Sequence, residues 1–176
     1  MPNECRNQLV VQGDVQSLSR FRDMAFDNAK NETSLNVLFP TPEGVDWYEW
    51  NNKHWGSKWG AYEIETDEVD MNEEDNFGLV RYTFTSAWAP PVGLIERIAS
   101  MYNNLQFGLS YSEWNMCFCG FQVWSDGETI AEMCEEPEMP KKVVRAVDND
   151  NWEAYYDWTG DCENKMYQKV EDYLGR

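Results

Sequence analysis

Cys117-Phe118-Cys119 sets two thiols two residues apart, which puts both on one face if the segment is a strand. Zinc sites use wider spacing, C-x₂₋₄-C with a second pair. Cys134, Cys162 and His54 lie far off in sequence, so the pair reads as two small buried residues, and no metal is expected. His54 is the single histidine. A general base needs a partner and a cleft, and no nucleophile accompanies it, so it reads as a packing residue. Glu63, Glu65, Asp67, Glu68, Asp70, Glu73, Glu74 and Asp75 form an acidic run with no base among them. The run lacks the calcium-loop pattern of a central glycine and a terminal glutamate. Phosphate loops, dinucleotide fingerprints and hydrolase elbows are absent from the sequence. The expectation is a protein without catalytic residues or cofactor. Trp55, Trp59 and Trp88 remain, and could stack a nucleobase or a peptide group, with Lys58 meeting an anion. Their other reading is as staples that fix a loop to the core.

Composition narrows the classes. Lys and Arg number 14 against 32 Asp and Glu, a net charge of -18. Such a field repels nucleic acid and anionic membranes and attracts basic surfaces. Hydrophobic residues make up 42% and nine residues are Trp, so the chain can build a core. No apolar run reaches the length of a membrane span, and the start, Met1-Pro2-Asn3-Glu4, lacks the apolar core of a signal peptide. Five cysteines, an odd number, fit free thiols in a reducing cytoplasm.

The elements that would position these residues follow from periodicity. Residues 7–12 read as a strand, ended by Gly13-Asp14, with Asp14 capping a helix whose apolar face is Leu18, Phe21 and Ala25. That helix is expected to end near Asn28 to Asn31. Residues 33–60 look irregular, carrying Trp47, Tyr48, Trp50, Trp55 and Trp59 over the core or along a cleft. A strand is expected from Ala61 to Thr66, with Glu63 and Glu65 turned away from Tyr62 and Ile64, then a mobile acidic hairpin loop to Asp75. Leu79 to Thr85 alternates as a strand, and Pro90-Pro91 opens a helix with Val92, Ile95, Ile98, Ala99 and Tyr102 on its apolar face. Leu105 to Tyr111 and Met116 to Trp124 read as a hairpin, ended by Ser125-Asp126-Gly127. Glu132 to Pro140 reads as an acidic linker. Trp152, Tyr155 and Tyr156, then Met166, Val170, Tyr173 and Leu174, have helical spacing, with Gly160 separating two short helices or kinking one.

The order is βαββαβ plus one strand, the ferredoxin-like split βαβ arrangement. The expected fold class is α+β: an antiparallel sheet with helices on one face, an aromatic insertion at 31–60 and a C-terminal helical extension. Residues 1–130 would form the domain, and 131–176 an acidic linker and helical tail packed on it.

Met1-Pro2-Asn3-x-Cys5-x-Asn7-x-Leu9-x-Val11-x-Gly13 resembles the opening of the YubB-like family of phage and plasmid proteins. Trp55-Gly56-x-Lys58-Trp59 and Ser86-Ala87-Trp88-x-Pro90-Pro91 resemble its two internal signatures, and Tyr111 to Gly127 its closing hairpin. The chain departs at Glu4, where an aromatic is common, and in its tail after residue 130. The resemblance implies a ferredoxin-like domain and a phage or mobile-element origin. It implies no activity and supplies no catalytic residue.

Charge and resemblance together lead to a non-enzymatic accessory protein in the cytoplasm of an infected or plasmid-bearing bacterium. Its expected partner is a host protein with a basic, nucleic-acid-handling face, such as a CRISPR effector or a restriction enzyme. The carboxylates would mimic nucleic acid, which the protein itself would not bind. The candidate partner-binding residues are Glu63, Glu65, Asp67, Glu68, Asp70, Glu73, Glu74, Asp75, Glu132, Glu135 and Glu136, with Tyr155, Tyr156 and Trp158 as aromatic anchors. The alternative is a small-ligand module of nucleotide type, with Trp55, Lys58, Trp59 and Trp88 around its pocket.

Overall fold

The computed structural model describes residues 3–28, 30 and 32–175. Met1 and Pro2, which open the first signature, and Ala29 and Asn31 lie outside the described residues. The first helix does not reach Asn28 to Asn31 as expected: it ends at Met24, where Ala25 caps it, and the chain turns into a short strand at Phe26–Asp27.

The chain runs through β1 (Glu4–Gly13), α1 (Val15–Met24), a small hairpin β2 (Phe26–Asp27) and β3 (Glu32–Thr33), and a 3₁₀ turn at Leu35–Leu38. Then come α2 (Trp47–His54), β4 (Tyr62–Asn72), β5 (Phe77–Ala87), α3 (Val92–Ala99), β6 (Leu105–Glu113), β7 (Phe118–Ser125) and β8 (Glu128–Glu135). The chain closes with α4 (Lys141–Val147) and α5 (Glu153–Leu174). The large sheet has the order β4-β5-β1-β6-β7-β8, antiparallel throughout. Its first four strands, with α1 and α3 as crossovers, are the split βαβ unit expected from the sequence, and β7 and β8 extend it as a meander.

Alternation along the strands gives the sheet two buried faces. Leu9 and Val11 of β1, Val80, Tyr82 and Phe84 of β5, and Phe107 and Leu109 of β6 meet Leu18 and Phe21 of α1 and Leu94, Ile95 and Ile98 of α3. Phe21 is the hub, edge-on to Tyr82, Tyr102 and Phe107. On the opposite face Val10, Leu79, Cys119, Phe121 and Val123 meet Met166, Val170 and Leu174 of α5. The helices therefore cover both faces, and the C-terminal extension takes the one that α1 and α3 leave.

The seat of α5 is Gly108. A methyl group there would overlap Val170 Cγ1 and stand 3.2 Å from Leu174 Cδ1, so the helix lies directly on the β6 backbone. Met166, Val170 and Leu174 are spaced i, i+4, i+8, and each contributes roughly 1.5–3 kcal/mol by burial. Gly160 meets nothing within 4 Å of its missing side chain, and α5 runs through it unbroken for 22 residues, not as two helices. A glycine in a helix interior costs stability, but a long buried stripe outweighs it.

Two acidic segments are strands, not loop or linker. β4 runs on to Asn72, paired with β5, and only Glu73 to Asn76 turns. β8 pairs with β7 from Glu128 to Glu135, so the expected boundary at residue 130 falls inside a strand. Asp126 (φ 53°) and Gly127 (φ 78°) form the two-residue connection, both left-handed as a type I′ hairpin turn requires. The aromatic insertion is also more regular than expected. Asp46 accepts from Tyr48 N and Glu49 N and caps α2.

Gly108→Ala is expected to destabilise the fold by about 1–3 kcal/mol through overpacking. The urea midpoint measures it, and increased hydrogen exchange confined to α5 would locate it.

Candidate functional site

Three strands change character along the face that α5 covers. β1 reads Arg6, Gln8, then Val10, and β5 reads Thr85, Thr83, Arg81, then Leu79. β6 reads Ser112, Ser110, then Gly108. The C-terminal half of α5 sits on the apolar end, where Gln12 Nε2 donates to Leu174 O at 2.9 Å. Toward its N-terminal half the helix passes over a polar floor, and a cleft of about 450 Å³ opens. Arg6, Gln8, Thr83, Thr85, Ser110 and Ser112 line its floor, Glu63 and Glu65 one wall, and Glu163, Asn164 and Tyr167 the other.

The acidic wall depends on two irregularities of β4. Register shifts fall between Tyr62 and Glu65 and between Thr66 and Glu68. Glu63 has φ 53°, a backbone that non-glycine residues seldom adopt. After these shifts Glu65, Glu68 and Asp70 stand opposite Thr83, Arg81 and Leu79, all on the α5 side, and Thr83 Oγ1 donates to Asp67 Oδ1 at 3.3 Å. A regular strand would have divided residues 65, 67, 68 and 70 between two faces. The bulges collect them on one.

Arg81 ties the wall to the helix. Its guanidinium pairs with Glu68 of β4, and with Glu171 of α5 at 3.1 Å, and lies 5.7 Å from the Tyr167 ring centroid. Tyr167 donates its hydroxyl to Glu171 Oε1 at 2.6 Å. Burial, and then that bond to a carboxylate, raises the Tyr167 phenol above its ordinary range. Glu163 accepts from Ser112 Oγ at 2.7 Å and Trp114 Nε1 at 2.6 Å. Arg6, on the floor, is exposed.

The other acidic residues are elsewhere. Glu73, Glu74 and Asp75 form the β4–β5 turn, where Asn72 Oδ1 accepts from Glu74 N and Asp75 N. Glu132 and Glu135 lie on β8 and Glu136 follows it, at the opposite edge of the sheet, about 24 Å away at ~4.8 Å per strand. Glu135 accepts from Lys165 Nζ at 2.6 Å. The sequence joined the two acidic sets into one candidate surface, and the sheet separates them. Tyr155, Tyr156 and Trp158 open α5, where Trp158 stacks obliquely on Trp114 (5.5 Å) and Tyr155 on Trp158 (6.0 Å), with Tyr156 projecting into solvent.

The tryptophans do not line this cleft. Trp55 is 6% exposed and sits in the main core, donating Nε1 to Phe39 O. Trp59 is 39% exposed, and Lys58 Nζ lies 4.5 Å from its ring and 5.8 Å from the Tyr48 ring. Trp88 is 49% exposed at the far end of β5, with φ 72° and its N–H on Asn3 O. His54 stacks on Trp50 at 4.5 Å. The two aromatic signatures meet through backbone: Leu94 N donates to Trp55 O, and Gly93 is pressed against His54 O. Asn7 Nδ2 donates to Ser86 Oγ (2.8 Å), and Ser86 Oγ to Ala89 O (2.8 Å), which fixes the turn before Pro90-Pro91.

The thiols do not gather either. Cys117 is not in β7 but in the turn before it, with φ 57° and its Sγ on Pro137 O, while Cys119 is buried under α5. No group of three or more metal-ligating side chains occurs among the described residues. Burial pushes the Cys5 and Cys119 thiols up to about 12.

Residues 61–159, from β4 into α5, match the family model described as the ferredoxin-like domain in Api92-like protein. The chain belongs to the Api92-like family. The matched segment holds the β4 wall, Arg81 with its Glu68 partner and most of the cleft floor, while β1 and the part of α5 that carries Glu163, Tyr167 and Glu171 lie outside it. Among solved structures, the chain is similar to the crystal structure of protein Api92 from Yersinia pseudotuberculosis. The two are 16% identical, with a TM-score of 0.46, over 60% of this chain and 40% of that one. No curated protein matches the chain. No helix among the described residues is long and apolar enough to cross a membrane.

Sequence reasoning missed Arg6, Gln8, Thr83, Thr85, Ser110, Ser112, Asn164 and Tyr167. Their signal was alternation: each floor pair is two residues apart on a strand whose other face is apolar, a pattern that reads equally as a solvent face.

Arg81→Met is expected to remove the ion pairs with Glu68 and Glu171 that tie β4 to α5, costing about 3 kcal/mol. Urea unfolding measures it. At pH 8 a thiol reagent should label exposed Cys134 at once, and Cys5 and Cys119 only after denaturation. The raised thiols add a pH term to stability, fully present below the ordinary value of 9.0 and lost as pH climbs toward 12, because the unfolded chain ionises first.

Proposed function

We propose that this is a non-enzymatic accessory protein of a phage or other mobile element, acting in the bacterial cytoplasm. It binds the basic, nucleic-acid-handling face of a host defence protein, of anti-CRISPR or anti-restriction type. The observation that carries this reading is the bulged β4, which turns Glu65, Asp67, Glu68 and Asp70 to one side and sets Glu63 beside them on the cleft wall. Carboxylates held on a strand give a partner's Lys and Arg a rigid array, where a mobile loop would lose entropy on ordering. The net charge of -18 supplies long-range attraction to such a face and repulsion of nucleic acid itself. The resemblance of the opening and internal segments to the YubB-like family supports the mobile-element origin. Tyr156 and Trp152, exposed at the start of α5, offer apolar contacts beyond the charged ones.

The test is capture of partners from bacterial lysate at low salt, then elution with duplex DNA. The variant combines Glu63→Gln, Glu65→Gln, Asp67→Asn and Asp70→Asn, and leaves Glu68 to hold Arg81. It is expected to keep its circular dichroism and lose the DNA-displaceable partner by tenfold or more, about 1.4 kcal/mol. Equal capture by the variant with unchanged salt dependence would overturn the reading.

A further inference from the structure

β4 is the last strand on its side of the sheet. One of its edges is paired with β5, and no described strand pairs with the other. Before Glu68 the strand is bulged, but Glu68–Asn72 pairs with Phe77–Arg81 without a shift, so this stretch has the regular edge that another strand can join. Its faces differ sharply. Glu68 and Asp70 point to the α5 side, opposite Arg81 and Leu79. Val69 and Met71 point to the α1 side, opposite Val80 and Gly78, and Val69 is 42% exposed. Next to the bulged part of the same edge, a cleft of about 400 Å³ separates Tyr62–Glu65 from Glu32 and Thr33 of the small hairpin and from Ser34 after it.

We infer that the outer edge of β4 at Glu68–Asn72 receives an extended segment of a partner protein, with Lys or Arg alternating with apolar residues. This rests on the function proposed above and names the chemistry of the partner. Charge chooses the occupant. A second copy of this edge would set carboxylate against carboxylate, and like charges directly opposite destabilise a pair. A basic residue opposite Glu68 or Asp70 has the favourable sign. The next residue falls beside Val69, where an apolar side chain covers exposed surface, or beside the half-buried Met71. Backbone bonds along the edge give affinity, and the alternation sets register. A nucleic acid strand is repelled by the same carboxylates.

The probe is the peptide Lys-Val-Lys-Val-Lys-Val-Lys, labelled at one end. Two controls accompany it: the same composition in block order, with the four Lys first, and the alternating peptide N-methylated at every residue, which removes the donors from both edges. Anisotropy titrations are read beside amide hydrogen exchange. The alternating peptide is expected to bind at least about tenfold more tightly than either control, a difference of about 1.4 kcal/mol, and to protect amides in Glu68–Asn72. Protection there, lost in Asp70→Lys, confirms the edge. Equal binding of all three peptides without protection overturns strand pairing and leaves charge attraction standing. Absence of binding by all three overturns strand pairing as well. If the lysate partner is still captured and displaced by DNA, the proposed function survives that result, and if capture fails too, both fall.

Discussion

The contact between Gly108 and Val170 decides what this molecule presents to its surroundings. A sheet with helices on only one face would leave Val10, Leu79, Phe121 and Val123 in water. Because β6 has no side chain at residue 108, α5 can descend until its Val170 touches backbone, and the apolar end of that face is sealed. The seal ends where the strands turn polar. There, α5 becomes the wall of a cleft, and the Arg81 pairs hold that wall to the edge strand. Cleft and core are therefore two ends of one helix–sheet interface, divided by a change in strand chemistry.

Among the described residues, Arg81 is the cation of that interface pinned from both sides. Its two carboxylate partners come from elements distant in sequence, one on β4 and one on α5. Ion pairs of this kind gain little net stability over a well-packed apolar pair, because both charges give up water. What they supply is orientation. The guanidinium sets how far β4 stands from α5, and it consumes Glu68 and Glu171 while leaving Glu63, Glu65 and Asp70 facing outward.

The split βαβ order was legible because its apolar spacings, 2 in the strands and about 3.6 in α1 and α3, are strong and local. The bulges of β4 were not. A run of carboxylates reads as a solvated loop, and only its pairing with β5, with Arg81 and Thr83 beneath, makes it a strand. β8 was legible in retrospect. Asp126-Gly127 is a hairpin signal, and it demands a strand on each side. The signal was spent on closing β7, and the glutamates that follow masked its second half. The tryptophans of the aromatic signatures were legible as staples for a loop. The structure gives the reason: Trp55 and Gly93 meet across the α2–α3 contact, and Asn7 braces Ser86 from β1.

That brace joins residues 79 apart in sequence. β1 is the first strand of the chain and one of the two central strands of the sheet, with β5 on one side and β6 on the other. During synthesis it leaves the ribosome long before either neighbour exists. Leu9, Val10 and Val11 must wait, unpaired, through the whole aromatic insertion and the acidic strand. Loops this long make closure slow. The waiting segment is short and apolar, the kind that chaperones and misfolded partners also recognise. The heavy negative charge that follows it in the chain opposes contact between such half-made molecules, a repulsion present before there is any cleft for those carboxylates to line.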